Sequence, residues 1–394
     1  MVAKSWTVPL HGIDRVKVGS VRSRAGDGPP GWQYAPTLCM TGVTLQAGSA
    51  AIEADLDLFE RHIDWNPLQG GRVLMTGGTG FIGTWLLEAL SYAVQTKRLA
   101  VTVAIQTRDP SAARKKLGWL VGRLPIEFVS GDVREGCGFV GSATHFIHGA
   151  TDASAVINRE RPREMFDSIV VGTSHALECA SRAGVARFLQ LSSGAVYGPS
   201  ERGAPFRESD RSGPDPVAAT AAYAEGKRAA EQLCSIASRA GALPHVGIAR
   251  CFAFVGPRLP LDAHFAIGNF IRDGLMGGDI NIGGDGTAVR SYLYAADLAV
   301  WLWNILLRGE SLRPYNVGSE QRLSIREIAE AVSARFEHRP KVHIRGARRA
   351  GAPDVYLPST ERARVELGLE PWTPLEQAID RTIAWNRRHM GGSA

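Results

Sequence analysis

Residues 73 to 88 read Val-Leu-Met-Thr-Gly-Gly-Thr-Gly-Phe-Ile-Gly-Thr-Trp-Leu-Leu-Glu, which predicts a buried strand, a tight turn and the start of a helix. Glycine is needed where the backbone bends sharply, where it approaches a pyrophosphate, and where helix and strand pack without Cβ atoms between them. The helix N-terminus offers unpaired N–H groups and a positive dipole end to phosphates. The alternative is a glycine-rich surface turn. We interpret the stretch as a dinucleotide-binding turn, with contacts expected from Gly77, Thr79, Gly80, Phe81, Ile82 and Gly83.

The composition is that of a soluble globular protein. Of the 394 residues, 44% are hydrophobic and 21% are charged, and no apolar run approaches the roughly 20 residues that a membrane-spanning helix requires. The net charge of +6 comes from dispersed basic residues, so we expect no nucleic-acid partner and no membrane partner. The N-terminus has no apolar block of signal-peptide length, which indicates a cytoplasmic protein. The cysteines lack metal-ligand and redox-pair spacing, so we expect no metal and reduced thiols at Cys39, Cys137, Cys179, Cys234 and Cys251.

Strands and helices alternate after the glycine turn. Helical periodicity separates the apolar runs, and this alternation predicts an α/β fold with a doubly wound parallel sheet, whose ligands bind at the carboxyl ends of the strands. Before the turn, residues 1–70 are predicted to form an N-terminal extension with a helix near residues 50–65. The predicted strands are Val73–Thr76, Leu99–Ile105, Ile126–Val129, His145–Ala150 and Arg187–Leu191.

Residues at the ends of the predicted strands indicate which cofactor binds and which side chains contact it. Arg108 follows the second strand, where an acidic side chain usually meets a free ribose 2′-hydroxyl and an arginine meets a 2′-phosphate. Arg108 therefore favours NADP, unless it is only a solvated arginine at the start of the next helix. Asp132 follows the third strand, with Val133 beside it, and is positioned to contact an adenine edge. The small residues that end the fourth strand, among them Ala150, let a cofactor lie close.

Two further segments carry side chains with catalytic chemistry. Ser193 follows the fifth strand, while Tyr223 and Lys227 are four residues apart and so share one face of a helix. A phenol normally titrates near pH ~10, and a neighbouring ammonium together with the positive nicotinamide ring of an oxidised cofactor would lower its pKa. Ser193 can then hold a substrate hydroxyl while Tyr223 takes its proton and the carbon gives hydride to the nicotinamide. The alternative is a tyrosine and a lysine on an ordinary amphipathic helix.

Several motifs resemble those of the extended short-chain dehydrogenase/reductases that act on nucleotide sugars. The resemblance covers about residues 71–388. The motifs are Thr-Gly-Gly-Thr-Gly-Phe-Ile-Gly (76–83), Ser-Ser-Gly-Ala-Val-Tyr-Gly (192–198), Tyr-Ala-Glu-Gly-Lys (223–227), Arg-Cys-Phe-Ala-Phe-Val-Gly-Pro (250–257), Arg-Ser-Tyr-Leu-Tyr-Ala-Ala-Asp-Leu-Ala (290–299) and Tyr-Asn-Val-Gly (315–318).

The resemblance implies roles for individual residues. It identifies the catalytic trio as Ser193, Tyr223 and Lys227. Arg290 matches the arginine that grips the substrate's phosphates, where a guanidinium fork suits phosphate oxygens. Segment 264–271, including Asn269, matches the part of the family that lies along the nucleotide and sugar, and Gly194 is expected beside the substrate.

The positions after Ser193 distinguish among the reactions of the family. The 4,6-dehydratases resemble one another in an Asp-Glu pair there, and UDP-glucuronate decarboxylases keep a glutamate at the second position. This chain has Gly194 and Ala195, and neither side chain can carry a proton. We therefore expect a nucleotide-sugar 4-epimerase that works through a transient 4-keto intermediate. The alternatives are a 4,6-dehydratase with an acid such as Glu208 or Glu225 supplied from elsewhere, a UDP-glucuronate decarboxylase, or a 4-keto-sugar reductase.

The resemblance also implies the organisation of the chain. A dinucleotide-binding Rossmann domain is expected at residues 71–256, and a smaller α/β substrate domain, interleaved with the sheet, at residues 257–394. NAD is the expected cofactor, with NADP left open by Arg108. A nucleotide-diphosphate sugar is the expected partner, and a homodimer is the expected assembly.

Overall fold

The structure, a computed structural model, describes residues 49–151, 155–200, 203–218, 220–263, 265–347 and 352–390. These residues belong to one compact unit. The expected boundary near residue 256 falls inside it.

The described residues contain two sets of regular elements. The strands are β1 (Gly71–Thr76), β2 (Val101–Thr107), β3 (Ile126–Ser130), β4 (His145–His148), β5 (Arg187–Ser193), β6 (Val246–Cys251), β7 (Phe254–Val255), β8 (Ile280–Ile282), β9 (Val289–Arg290), β10 (Leu293–Tyr294), β11 (Pro314–Val317), β12 (Leu323–Ser324), β13 (Val342–Ile344) and β14 (Val355–Tyr356). The helices are α1 (Glu53–His62), α2 (Phe81–Thr96), α3 (Pro110–Lys116), α4 (Ala155–Glu160), α5 (Pro162–Arg182), α6 (Ala222–Arg239), α7 (Ala266–Leu275), α8 (Ala295–Arg308), α9 (Ile325–Ser333), α10 (Glu361–Leu367) and α11 (Leu375–Met390).

Seven of these strands form one parallel sheet, in the order β11-β6-β5-β4-β1-β2-β3. The order of β1 to β6 within it is that of doubly wound dinucleotide-binding folds, so the predicted fold class is confirmed. Each of β1 to β5 begins and ends within two residues of its predicted bounds. Strand β11 follows residue 256 and pairs with β6, so the later part of the chain returns to the sheet.

Three smaller sheets lie outside the main one. They are the pair β10-β7, the pair β13-β8 and the three-stranded sheet β12-β9-β14. In the last of these, Tyr356 of β14 lies in register with Arg290 of β9. The C-terminal part of the chain is thereby joined to the segment that carries the predicted phosphate-binding arginine.

Helix α8 is buried on all sides and packs against α1 and α2. A helix that is apolar around its whole circumference belongs in a core. Trp301 and Trp303 are fully buried, and their indole N–H groups donate to the backbone carbonyls of Glu370 at 3.1 Å and Leu86 at 3.2 Å. Both buried indoles therefore have hydrogen-bond partners, as burial of a polar group requires.

Two of the cysteines form a disulfide. Cys137, between β3 and β4, is bonded to Cys179 of α5, 42 residues away. The expectation of reduced thiols is wrong for this pair, because the two residues meet only through the folding of the β3–β4 connection against α5. Cys234 and Cys251 are free buried thiols, and Cys39 lies outside the described residues.

The described ranges lack two kinds of feature. None of the helices there has the length and apolar content needed to cross a membrane. No group of three or more potential metal-ligating side chains occurs in the same ranges.

The first turn of α8 contains a buried carboxyl group, that of Asp297. It accepts hydrogen bonds from the Thr373 backbone N–H at 2.9 Å and from the Thr373 hydroxyl at 3.0 Å. Burial nevertheless raises the pKa of Asp297 to about 7, because removal from water disfavours the charged form more than these bonds favour it.

This raised pKa gives a testable pH dependence of stability. Between about pH 4 and pH 7 the unfolded chain releases the Asp297 proton while the folded protein keeps it, so the free energy of unfolding falls as pH rises. We expect Asp297→Asn to reduce that fall by up to about 4 kcal/mol, measured by urea unfolding across this range. Asp57→Asn, at an exposed position, is the matched control and should leave the fall unchanged. If the free energy of unfolding fell equally in wild type and in Asp297→Asn, the raised pKa of Asp297 would be contradicted.

Candidate active site

The glycine turn joins β1 to α2 at the carboxyl edge of the sheet. Gly77 has a φ of 75°, and a Cβ there would lie 2.6 Å from the carbonyl carbon of Gly149. A Cβ on Gly83 would lie 2.4 Å from the carbonyl oxygen of Gly77. Both glycines are therefore required by close backbone contact, and the 16-residue helix α2 begins directly after the turn. Its N-terminus suits a pyrophosphate.

The end of β4 is tied to the end of β1 by a threonine hydroxyl. Thr76 Oγ1 accepts the backbone N–H groups of Gly149 and Ala150, each at 3.2 Å, and lies 2.7 Å from Nδ1 of His148. Burial lowers the pKa of His148 to about 3, so its ring is neutral. The predicted cofactor residue Ala150 therefore lies beside the glycine turn.

The ends of β2 and β3 carry the remaining predicted cofactor residues. Arg108 is exposed. The Asp132 carboxylate accepts from the Arg134 guanidinium at 2.7 Å, and this pairing holds the pKa of Asp132 below its usual value. The Val133 carbonyl accepts a hydrogen bond from His175 at 2.8 Å. Asp132 is thus already engaged by a neighbouring cation.

One cavity of about 740 Å³ opens at this edge of the sheet. Nine predicted site residues line it, namely Gly77, Gly80, Phe81, Ile82, Gly83, Ser193, Tyr223, Lys227 and Arg290. Seven others do not line it, namely Thr79, Arg108, Asp132, Val133, Ala150, Gly194 and Asn269.

The predicted catalytic trio meets inside this cavity. Ser193 ends β5, and Tyr223 and Lys227 lie in the first two turns of α6. Lys227 Nζ donates to the Leu191 carbonyl at 2.8 Å and to Thr151 Oγ1 at 3.0 Å, and it lies 5.8 Å from the centroid of the Tyr223 ring. Ser193 and Tyr223 both line the cavity, and the side chain of Ser193 acts to lower the pKa of the Tyr223 phenol.

The protonation preferences of the trio differ from the expectation. Burial raises the pKa of Tyr223 to about 12, although the hydrogen bond with Ser193 acts in the opposite direction. Burial lowers the pKa of Lys227 to about 8. The expected lowering of the phenol's pKa is therefore not produced by the protein groups alone, because both charged forms are removed from water.

Two polar residues of the cavity were missed by the sequence reasoning. Asn158 accepts the backbone N–H of Tyr223 at 3.0 Å and donates to the Thr220 carbonyl at 2.8 Å, so it holds the start of α6. Thr151 fixes the ammonium of Lys227. Both residues follow β4 in the chain. The position of Thr151 shortly after a sheet strand could have identified it from the sequence, whereas no motif marks Asn158.

A third missed residue is Tyr356, which lies far along the chain from the trio. Its side chain lines the cavity, and Ser193 acts to lower the pKa of its phenol. A Cβ on Gly194 would lie 2.7 Å from this hydroxyl and 2.6 Å from the ring of Phe252. Gly194 thus leaves the space that these two rings occupy.

The predicted substrate residues have different surroundings. Arg290 lines the cavity and donates to the Asp354 carboxylate at 2.6 Å. Asn269 instead accepts from Arg272 at 3.2 Å, and the neighbouring Phe265 lines the cavity in its place. Of the predicted segment 264–271, residue 264 lies outside the described residues.

Carboxylates are scarce around the trio. Among the described residues that line the cavity, Asp354 is the one carboxylate, and it is paired with Arg290. Glu208 accepts from the backbone N–H of Asn316 at 2.9 Å, and Glu225 lies 3.6 Å from the Arg228 guanidinium. Neither glutamate lines the cavity, so neither is positioned to replace the missing acidic pair.

Comparison with known proteins identifies relatives that cover most of this chain. The family model described as the NAD dependent epimerase/dehydratase family matches residues 73–318. The chain is 31% identical over 309 residues to UDP-glucuronic acid decarboxylase 6 of Arabidopsis thaliana, covering 78% of this chain and 86% of that protein.

Solved structures give the same picture of the fold. MoeE5 in complex with UDP-glucuronic acid and NAD is 26% identical, with a TM-score of 0.65 over 81% of this chain and 100% of that one. DesIV, a dTDP-glucose 4,6-dehydratase from Streptomyces venezuelae solved with NAD, is 24% identical, with a TM-score of 0.69 over 82% of this chain and 98% of that one. At its level of identity the DesIV comparison supports the fold alone.

The glycine turn can be tested by adding one methyl group. We expect Gly83→Ala to lower the affinity for NAD at least about tenfold, because the new Cβ would displace the Gly77 carbonyl from the phosphate-facing turn. Isothermal titration calorimetry measures the affinity. Gly283→Ala is the matched control, since a Cβ there meets nothing within 4 Å. Unchanged NAD affinity in Gly83→Ala would contradict this role for the turn.

Proposed function

The chain belongs to the NAD dependent epimerase/dehydratase family, and from this membership we propose that it oxidises C4 of a nucleotide sugar and returns the hydride within one catalytic cycle. The convergence of Ser193, Tyr223 and Lys227 in one cavity beside the glycine turn supports this proposal. A cofactor recycled in this way makes the overall reaction redox-neutral.

NAD is the proposed cofactor. The compared structures MoeE5 and DesIV were solved with NAD, and the close-packed glycines and the α2 N-terminus of this chain fit a dinucleotide pyrophosphate. Arg108 is exposed at the end of β2 and is compatible with a solvated role, so it does not require NADP. When bound, NAD supplies the hydride acceptor for oxidation and the hydride donor for reduction.

The trio is proposed to remove the proton of the substrate's 4-hydroxyl. Tyr223 is the proposed base and Ser193 holds the same oxygen by a hydrogen bond. Lys227 is fixed by Leu191 and Thr151, and with a pKa of about 8 it is mostly positive at neutral pH. A positive charge near the phenol favours the phenolate, and the positive ring of an oxidised cofactor acts in the same direction.

UDP-glucuronic acid is the proposed substrate. The Arabidopsis relative is named for its action on this compound, and MoeE5 was solved with it. Arg290 is the cation proposed to bind the diphosphate, because its guanidinium lines the cavity within the segment that resembles the family's phosphate-gripping motif.

The proposed reaction on this substrate is 4-epimerisation. The observation that carries it is the pair Gly194 and Ala195, where a proton-carrying side chain is missing. Dehydration requires a base at C5 and an acid for the departing hydroxyl, and Asp354, the carboxylate among the described lining residues, is paired with Arg290. Epimerisation needs only oxidation, rotation of the keto sugar and hydride return to its other face.

Decarboxylation of the same substrate is the second candidate, and the comparisons favour it over epimerisation. The relative that is 31% identical is a UDP-glucuronic acid decarboxylase. A 4-keto uronic acid is a β-keto acid, so carbon dioxide departs while the electron pair of the broken C5–C6 bond passes into an enolate. C5 of the enolate then takes up a proton, and the return of the hydride to C4 gives the pentose. The departure of carbon dioxide needs no base, and the missing glutamate therefore does not prevent it.

One assay separates these reactions. We expect purified protein incubated with NAD and UDP-glucuronic acid to form its C4 epimer, without carbon dioxide release and without net reduction of NAD. Mass spectrometry and chromatography identify the product. A UDP-pentose with released carbon dioxide would establish the decarboxylase instead. A parallel incubation with NADPH and a nucleotide 4-keto sugar tests the reductase, which would consume the reduced cofactor stoichiometrically.

A variant pair tests the role of the trio. We expect Tyr223→Phe to lower kcat on the order of 10²-fold or more, because it removes the group that accepts the proton. Tyr92→Phe is the matched control, since this tyrosine is buried and its hydroxyl donates to Glu60 at 2.7 Å, away from the cavity. Similar activity of Tyr223→Phe and wild type would refute the proposed base.

A further inference from the structure

Helix α6 carries a third polar residue on the face that bears Tyr223 and Lys227. This residue is Glu231, which follows Lys227 by four positions, as Lys227 follows Tyr223. Residues four apart on a helix share a face, with Cβ atoms roughly 5–6 Å apart. Helical side chains also lean toward the helix N-terminus, so Glu231 leans toward Lys227. Its side chain is only 14% exposed, and a buried carboxylate requires partners of its own.

Three elements meet at the Glu231 carboxylate. It accepts the hydroxyl of Ser192, in the last turn of the chain along β5, at 2.5 Å. It also accepts two bonds from the guanidinium of Arg250 in β6, from Nε at 3.0 Å and from Nη2 at 2.7 Å. Ser192 and Arg250 lie in register on neighbouring strands. Glu231 therefore ties α6 to the ends of β5 and β6, next to Ser193.

Arg250 is held by further groups. Its Nη1 donates to the Tyr197 hydroxyl at 2.9 Å, and its guanidinium carbon is 4.9 Å from the centroid of the Tyr197 ring. The Tyr197 hydroxyl in turn donates to the side chain of Asn316 in β11 at 2.7 Å. A bidentate pair of arginine and carboxylate has a defined geometry. The negative charge of Glu231 is therefore fixed in place, one turn after Lys227.

The direct contacts of Lys227 are uncharged. Its ammonium donates to the Leu191 carbonyl and to the Thr151 hydroxyl, which are both neutral oxygens. Across the described ranges of the chain, no carboxylate forms an ion pair with Lys227. A buried ammonium without a nearby negative charge tends to lose its proton.

The other titratable groups around Lys227 are His148 of β4, Cys251 of β6, and Tyr223 and Cys234 of α6. Burial keeps all four uncharged at neutral pH. It lowers the pKa of the imidazole to about 3, raises the pKa of the phenol and of the β6 thiol to about 12, and raises that of the α6 thiol above its usual value. Glu231, by contrast, raises the pKa of Lys227 against the effect of burial. Arg250 shares the Glu231 carboxylate, and its positive charge acts in the opposite direction.

We propose that Glu231 is a positioning residue, which anchors the catalytic face of α6 on the ends of β5 and β6 and places a negative charge one turn from the Lys227 ammonium. The effect on turnover rests on the proposed function, whereas the effect on Lys227 does not. By stabilising the ammonium, Glu231 preserves the positive charge that favours the phenolate of Tyr223. Ser192 and Arg250 hold the carboxylate in place before any ligand binds.

Nuclear magnetic resonance can follow the Lys227 proton directly. The chain has seven lysines, so protein labelled with ¹³C at lysine Cε gives few signals, and the signal lost in Lys227→Met belongs to Lys227. We expect Glu231→Gln to lower the pKa of Lys227 by about one unit, because a negative charge is lost and the positive charge of Arg250 is left uncompensated. An unchanged or raised pKa would overturn the proposal.

A double variant separates this effect from stability. Loss of one partner from a buried ion pair strongly destabilises a protein, whereas replacement of the whole pair by uncharged groups is tolerated. Glu231→Gln/Arg250→Met keeps an amide oxygen for Ser192 and removes both charges. We expect it to fold and to lower the pKa of Lys227, by less than the single variant does. A wild-type pKa in the double variant would equally overturn the proposal, so the test stands even where the single variant does not fold.

Glu127→Gln is the matched control. Glu127 also accepts a hydrogen bond from an arginine, Arg72, at 2.6 Å, but it lies on β3 at the opposite end of the sheet order from β6 and β11. We expect this variant to leave the pKa of Lys227 unchanged. An equal shift in Glu127→Gln and Glu231→Gln would show a general effect of charge and would refute the local role of Glu231.

The pH dependence of turnover gives a second readout. Because Lys227 has a pKa of about 8, a fall of one unit leaves about fivefold fewer protonated molecules at pH 8 and little change at pH 6. We therefore expect Glu231→Gln to lose more of its kcat/KM at pH 8 than at pH 6. Equal losses at both values would contradict the role of the charge. Wild-type protein that is inactive on every nucleotide sugar would defeat the proposed function, and the resonance titration would still decide the role of Glu231.

Discussion

Close backbone contact between the ends of β1 and β4 is the constraint on which the rest of the site depends. The positive φ of Gly77 and the 2.6 Å between its absent Cβ position and Gly149 leave no room for a side chain. Thr76 accepts the N–H groups of Gly149 and Ala150 and so locks the two strand ends together. Because these ends meet, α2 starts at the cavity, and its N-terminus lies where we propose that a pyrophosphate binds.

The same edge of the sheet fixes the proposed catalytic groups. Lys227 donates to Leu191 at the end of β5 and to Thr151 after β4, which seats α6 across both strands. This seating brings Tyr223, one turn earlier, to Ser193. Burial disfavours both the phenolate of Tyr223 and the ammonium of Lys227, so under the proposed function the positive ring of the bound cofactor is what favours the phenolate.

The sequence predicts the parts of this site that depend on local pattern. The glycine turn, the first five sheet strands and the i, i+4 spacing of Tyr223 and Lys227 follow from neighbouring residues, and the structure brings them together. Contacts across long separations could not be predicted. Tyr356 reaches Gly194 in the loop after β5 only because β14 pairs with β9. Asn269 accepts a hydrogen bond from Arg272, although its segment resembles a substrate-binding one. The lowered phenol pKa was expected from charge alone, and burial, which only the fold reveals, opposes it.

The central claim is that the hydrogen on C4 of the sugar leaves and returns within one active site. The most direct measurement follows deuterium placed at C4 of UDP-glucuronic acid through complete turnover, with mass spectrometry of the product and of the cofactor. The account predicts that the product keeps the deuterium at C4 and that neither water nor free NAD gains it. Deuterium released to water, or accumulated in free reduced cofactor, would contradict the account.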